Sequence, residues 1–195
     1  DGREEIVSTE LRECARGRGT LRIYAGDPKA GYRAAGDLAF ATRCETELGV
    51  VFQHIVAEDV DRDGDLDLFV AGYGPETTRG NFNKFESEDG ARNLLFINQG
   101  GLRFTEEGVA RGLTGTQLTY AAVFFDEDQD GDPDLFLVND FGPNRLLRND
   151  GGRFTAQDSP LGENGQSMGV TVADFDGDGA FDVYVSNMYS SAGHR

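Results

Sequence analysis

The sequence predicts an all-β chain made of four-stranded antiparallel units, and three observations carry that reading. Runs of β-branched and aromatic residues, about four to nine long, alternate with clusters of Gly, Asn and Asp. The alternation repeats along the 195-residue chain from residue 50 onward. A nine-residue acidic stretch separates the first two runs of each repeat, at 59–67, 126–134 and 174–182. Four-stranded antiparallel units at this spacing are blades of a β-propeller.

The acidic stretches share one spacing. Each places Asp at positions one, three, five and nine and Gly at position six. Like charges about 4 Å apart cost roughly 4 kcal/mol per pair at an effective dielectric near 20. A loop that converges four carboxylates therefore needs a cation. Oxygen-only donors select a hard ion, and a flexible cage of oxygens suits Ca²⁺ better than Mg²⁺. The expected side-chain ligands are Asp59, Asp61, Asp63 and Asp67 in loop one, and Asp126, Asp128, Asp130 and Asp134 in loop two. In loop three they are Asp174, Asp176, Asp178 and Asp182. Position seven, occupied by Asp65, Asp132 and Ala180, is expected to offer its backbone carbonyl, which explains why Ala is tolerated there. The Gly at six permits the sharp turn.

An EF-hand would need a bidentate Glu at position twelve. Val70, Leu137 and Val185 stand there, and the flanks read as strands, not helices. The alternative is a set of solvated acidic turns; three copies in register weigh against it.

Taken in order, residues 1–49 hold no acidic loop. Residues 4–18 read as a short helix with Ile6, Leu11 and Cys14 apolar, and 20–25 and 37–42 as strands around a turn-rich 26–31. This segment is either the tail of a preceding unit or a cap. The first unit, 50–118, has strands at 50–58, 67–73, 93–98 and 103–106. The second, 119–166, has them at 119–125, 134–139, 145–148 and 153–156, and Asn149-Asp150-Gly151-Gly152 closes its last hairpin. The third, 167–195, shows 168–173 and 182–188 and is incomplete. Its open edge is an aggregation hazard unless covered. The chain is thus expected to be a fragment, or to be completed by self-association or another chain. The start at Asp1 fits a processed form.

Asp59 to Asp126 is 67 residues, and Asp126 to Asp174 is 48. An insertion between the second and third strands, from Gly74 to Ala91, explains most of the difference. It would project from the face opposite the acidic loops. With Tyr73 beside it and Arg79, Phe82, Asn83, Lys84 and Phe85 within it, it reads either as a recognition loop for a protein or glycan or as a plug folded on its own blade.

Composition bounds the rest. The net charge of −17 argues against nucleic acid and anionic membranes as partners. Three Ca²⁺ would bring it to about −11. No run approaches the roughly 20 apolar residues of a membrane span. Cys14 and Cys44 are placed to form a disulfide in an oxidising compartment, or to remain two buried thiols. No Asn-x-Ser/Thr occurs. The histidines are His54, in a predicted strand, and His194. Neither stands in a catalytic pattern, so the reading is not an enzyme.

The triple acidic loop, the Asn-bounded runs 93–98 and 144–149 and the Gly-Gly turns after them resemble the FG-GAP/VCBS repeat family, which includes the calcium-binding blades of integrin α-subunits. Residues 144–149 and 186–189 are similar to its ASPIC/UnbV, cartilage-acidic-protein branch. The resemblance covers about residues 50–195. It implies a β-propeller, about three Ca²⁺ ions and an extracellular, cell-surface or periplasmic setting. The Phe-Gly element is echoed only as Met168-Gly169 and Gly-Ala-Pro is absent, so integrin-like ligand binding is not carried over. The expected function is a calcium-binding structural or interaction module, for adhesion or assembly. Two alternatives remain: an accessory propeller of a polysaccharide-active extracellular enzyme, and a subunit of a filament or surface layer.

Overall fold

The computed structural model describes residues 5–8, 18–27, 29, 31–41, 50–75, 90–162 and 166–188. Cys14, Cys44, His194 and most of the 74–91 insertion lie outside the described residues.

Among the described residues the chain is all-β, arranged as four antiparallel sheets. β1 (Glu5–Ser8), β2 (Arg18–Asp27) and β3 (Gly31–Ala41) form the first. β4 (Val50–Glu58), β5 (Asp67–Pro75), β6 (Leu94–Asn98) and β7 (Phe104–Glu106) form the second, in sequence order. β8 (Thr119–Phe125), β9 (Asp134–Asn139), β10 (Arg145–Asp150) and β11 (Arg153–Gln157) repeat that order. β12 (Ser167–Ala173) and β13 (Asp182–Asn187) pair as a two-stranded sheet.

One expectation fails. Residues 5–8 are a strand, not the start of a helix: Ile6 faces Tyr24 and Val7 faces Ile23 across the β1–β2 ladder. Ile-Val is β-branched, and pairing with a distant strand outweighs the weak helical spacing of Ile6, Leu11 and Cys14.

The sheets stack face to face, and the side-chain alternation of each strand divides between two interfaces. Leu68 and Val70 of β5 join Leu94 and Phe96 of β6 against Leu21, Ile23 and Leu38 of the first sheet. The alternate residues, Phe69, Ala71, Leu95 and Ile97, turn the other way onto Leu135, Leu137 and Leu147. Phe136, Val138 and Leu146 then face Val170, Val172, Val183 and Val185 of the β12–β13 pair. Both faces of β5, β6 and β9 are covered, which is why these strands are nearly continuous apolar runs. These are stacked propeller blades.

A buried polar chain stitches the blades at the end away from the acidic loops. Asn93 donates from Nδ2 to Thr119 Oγ1 at 3.1 Å, and Thr119 donates to Asn139 Oδ1 at 3.0 Å. The next boundary repeats the pattern but ends on an exposed Asn187: Asn144 donates to Ser167 Oγ at 3.3 Å, and Ser167 to Asn187 Oδ1 at 2.7 Å. A β-bulge follows the hydroxyl residue in both β8 and β12. In the first blade the matching positions are Phe52 and Gly72, and Phe52 packs instead against the N-terminal sheet.

Candidate metal centres

Each acidic loop joins the first two strands of its blade, so β4–β5, β8–β9 and β12–β13 all close at the same end. The backbone turns sharply to fit. Gly64, Gly131 and Gly179, at position six, have φ of 94°, 92° and 90°. Position four also lies in the left-handed region, as Arg62 at 58°, Gln129 at 62° and Gly177 at 79°. A positive φ at Arg and Gln costs energy and persists where the surroundings enforce it.

Three carboxylates converge in every copy: Asp59, Asp61 and Asp67; Asp126, Asp128 and Asp134; Asp174, Asp176 and Asp182. In each group one oxygen per residue lies within 4.8 Å of the others. The loop's own amides hold the position-one carboxylates. Asp59 accepts from the N–H of Asp63 and Gly64 at 3.1 and 2.9 Å, and Asp126 from Asp130 and Gly131 at 3.1 and 3.0 Å. Asp174 accepts from Asp178 and Gly179 at 3.1 and 3.0 Å.

The position-nine carboxylates tie loop to sheet. Asp67 accepts from Val60 N at 3.1 Å and from Asn98 N, on β6, at 2.8 Å. Asp134 accepts from Glu127 N at 2.9 Å and from Asn149 N, on β10, at 2.7 Å. Asp182 accepts from Phe175 N at 2.9 Å. Asp67 and Asp134 are buried. Burial pushes the Asp67 carboxyl up to about 6, against the pull of its two backbone donors, and nearby Asp61 and Asp63 add to the rise. Asp134 is raised for the same reasons, with Asp128 and Asp130 as its neighbours.

The position-five carboxylates are not in these groups. Asp63, Asp130 and Asp178 each turn Oδ1 onto the N–H of position seven, at 2.9, 2.9 and 2.8 Å. The position-seven residues diverge. Asp65 is exposed, while Asp132 is buried, pairs with Arg62 at 2.7 Å and accepts from Gly151 N at 3.1 Å. Ala180 is exposed.

Basic residues offset part of the charge. Arg111 holds Asp61 Oδ2 at 3.0 Å, and Arg148 pairs with Asp128. These partners come from outside the nine-residue stretches, where spacing gives no warning of them. Asp61 Oδ1 is buried and has no hydrogen-bond partner. An orphaned carboxylate oxygen on a member of a convergent carboxylate group is one that a hard cation can satisfy. The donor set, all oxygen, fits such an ion.

His54 sits on β4, where its Nδ1 accepts the Ala122 N–H at 3.2 Å and so links two blades. Tyr73, at the end of β5, donates to Asp140 and stacks edge-on with Tyr120 at a ring distance of 6.0 Å.

A family model for the FG-GAP-like repeat matches residues 59–137 and again 126–185, together more than half of the chain. The chain belongs to the FG-GAP-like repeat family. Each match starts at an acidic loop and ends in the second strand of the next blade, so the FG-GAP-like unit and the structural blade share one period. Repeats of this family are typical of extracellular domains. Among the described residues no helix is long and apolar enough to cross a membrane. No curated protein matches the chain.

Proposed function

We propose that this chain is a calcium-stabilised extracellular propeller module that presents a surface to a partner and carries out no catalysis of its own. The carrying observation is the threefold recurrence of a carboxylate triad at positions one, three and nine, with the buried Asp61 Oδ1 left unpartnered in the first.

Asp59, Asp61 and Asp67 would hold the first ion, with the equivalent residues of loops two and three holding two more. Bound Ca²⁺ supplies positive charge that cancels the carboxylate repulsion and joins the first strand of a blade to the second. The chain's own residues do the rest: loop amides orient position one, the third strand orients position nine, and Gly at six closes the turn. Outside cells calcium is abundant enough that sites of only about 10⁻⁴–10⁻³ M dissociation constant are filled.

The recognition surface is assigned to the face opposite the loops, where the 74–91 insertion leaves the blade. Its return is anchored by Gly90 N donating to Thr116 O at 3.0 Å, close to the Tyr73–Tyr120 pair. A protein or glycan is the expected partner.

The test is metal content after dialysis against mixed Ca²⁺ and Mg²⁺. The reading predicts about three Ca²⁺ per chain, with one lost in each of Asp59→Asn, Asp126→Asn and Asp174→Asn. Preferential Mg²⁺ uptake, or no bound metal, contradicts it.

A further inference from the structure

We infer that loops one and two bind calcium as a coupled pair, with Asn149 as the positioning residue between them; this rests on the calcium reading above. Asn149 is fully buried. Its N–H donates to Asp134 Oδ1 at 2.7 Å, so the last carboxylate of loop two fixes its place. Its side-chain Nδ2 donates to Val60 O at 2.8 Å, a carbonyl between Asp59 and Asp61 in loop one. One residue therefore touches both loops, from two different blades.

The turn that follows Asn149 reinforces the bridge. Gly152 N donates to Asn149 Oδ1 at 2.8 Å, while Gly152 O accepts from Arg111, whose other nitrogen holds Asp61. Arg62 of loop one pairs with Asp132 of loop two, and Asp132 accepts from Gly151.

The repeat supplies its own controls. Asn98 plays the same part within its blade, donating to Asp67 Oδ1 at 2.8 Å and Leu66 O at 3.2 Å. Among the described residues it makes no bond to a second acidic loop. Nor does any hydrogen bond or ion pair join loop two to loop three among the described residues.

The sign follows from ordering. An ion in loop two fixes Asp134, and with it Asn149 and its turn. That turn holds the Val60 carbonyl and Asp61 where loop one needs them. The ordering cost is met once, so the second ion binds more tightly, and the effect is reciprocal. Loop three stands outside the pair.

Calorimetric calcium titration of the whole chain tests this. With loop three disabled by Asp174→Asn and Asp176→Asn, the remaining two ions are expected to bind cooperatively. Disabling loop two as well, by Asp126→Asn and Asp128→Asn, should weaken loop one about tenfold. Asn149→Ala should leave two ions bound but abolish the cooperativity. Arg62→Gln, at a more exposed side chain, should reduce it and covers the case in which Asn149→Ala does not fold. Loop-one affinity unchanged by the loss of loop two overturns the coupling while leaving calcium binding intact. A parent chain that binds no calcium contradicts the calcium reading itself.

Discussion

Asn93 Nδ2 lies 3.1 Å from Thr119 Oγ1, across the boundary between two blades, and both residues are buried. Thr119 passes the bond on to Asn139, so removing its hydroxyl leaves two buried amides short of a partner. Thr119→Val keeps the shape and deletes the oxygen. It should cost about 1–3 kcal/mol of stability by denaturant unfolding, with or without calcium. A loss under about 0.5 kcal/mol, the usual range for a surface substitution, would mean that the stitch contributes nothing beyond packing.

Position five separates two roles that one substitution would confuse. Asp130 and Asp178 cap the next-but-one amide through Oδ1, an arrangement that an Asn retains and an Ala loses. Asp130→Ala should therefore lower the melting temperature in calcium and, by a smaller amount, in chelator. Asp130→Asn should lower it in calcium alone. Equal losses for both variants in chelator would contradict the capping role.

Position seven should differ between blades. Asp65 is exposed, and Asp65→Ala should change stability by no more than about 0.5 kcal/mol. Asp132 is buried against Arg62 and the Gly151 amide, so Asp132→Ala should cost about 1–3 kcal/mol even without metal. Urea unfolding of the two variants in chelator makes the comparison.

Without calcium, stability should fall as pH rises from about 4 to about 6. The Asp67 carboxyl is held up to about 6 in the folded state, against 3.8 ordinarily. Between those values the folded chain keeps a proton that the unfolded chain has released, so raising the pH favours unfolding. Asp134, raised in the same direction, adds to the trend. Calcium replaces the proton, so the gap between calcium and chelator melting curves should widen as pH rises through about 6. A gap independent of pH would contradict the assignment of Asp67.

Much of this was legible in the sequence because the information is local. Nine-residue spacing, Gly at six and the flanking β-branched runs place the loops and the strands beside them within a residue or two. Gly151 and Gly152, at φ of 55° and 85°, form the hairpin turn that Asn149-Asp150-Gly151-Gly152 predicts. What escaped depends on neighbours far along the chain. Residues 5–8 took their conformation from β2. The turn at Arg62 and Gln129 needs a positive φ that neither residue advertises. Arg62 meets Asp132, and Asn149 meets Val60, only once the blades are stacked. The Asn–Thr–Asn stitch did leave a signal: Thr119 and Ser167 stand at one fixed distance before their loops, and Asn139 and Asn187 at another after them.

The most direct measurement is thermal unfolding in Ca²⁺ and in excess chelator, with bound metal counted on the same sample. The account predicts about three Ca²⁺ per chain and a melting temperature that drops by several degrees or more on chelation. Unchanged melting with no bound metal would contradict it and leave the acidic loops as solvated turns between propeller strands.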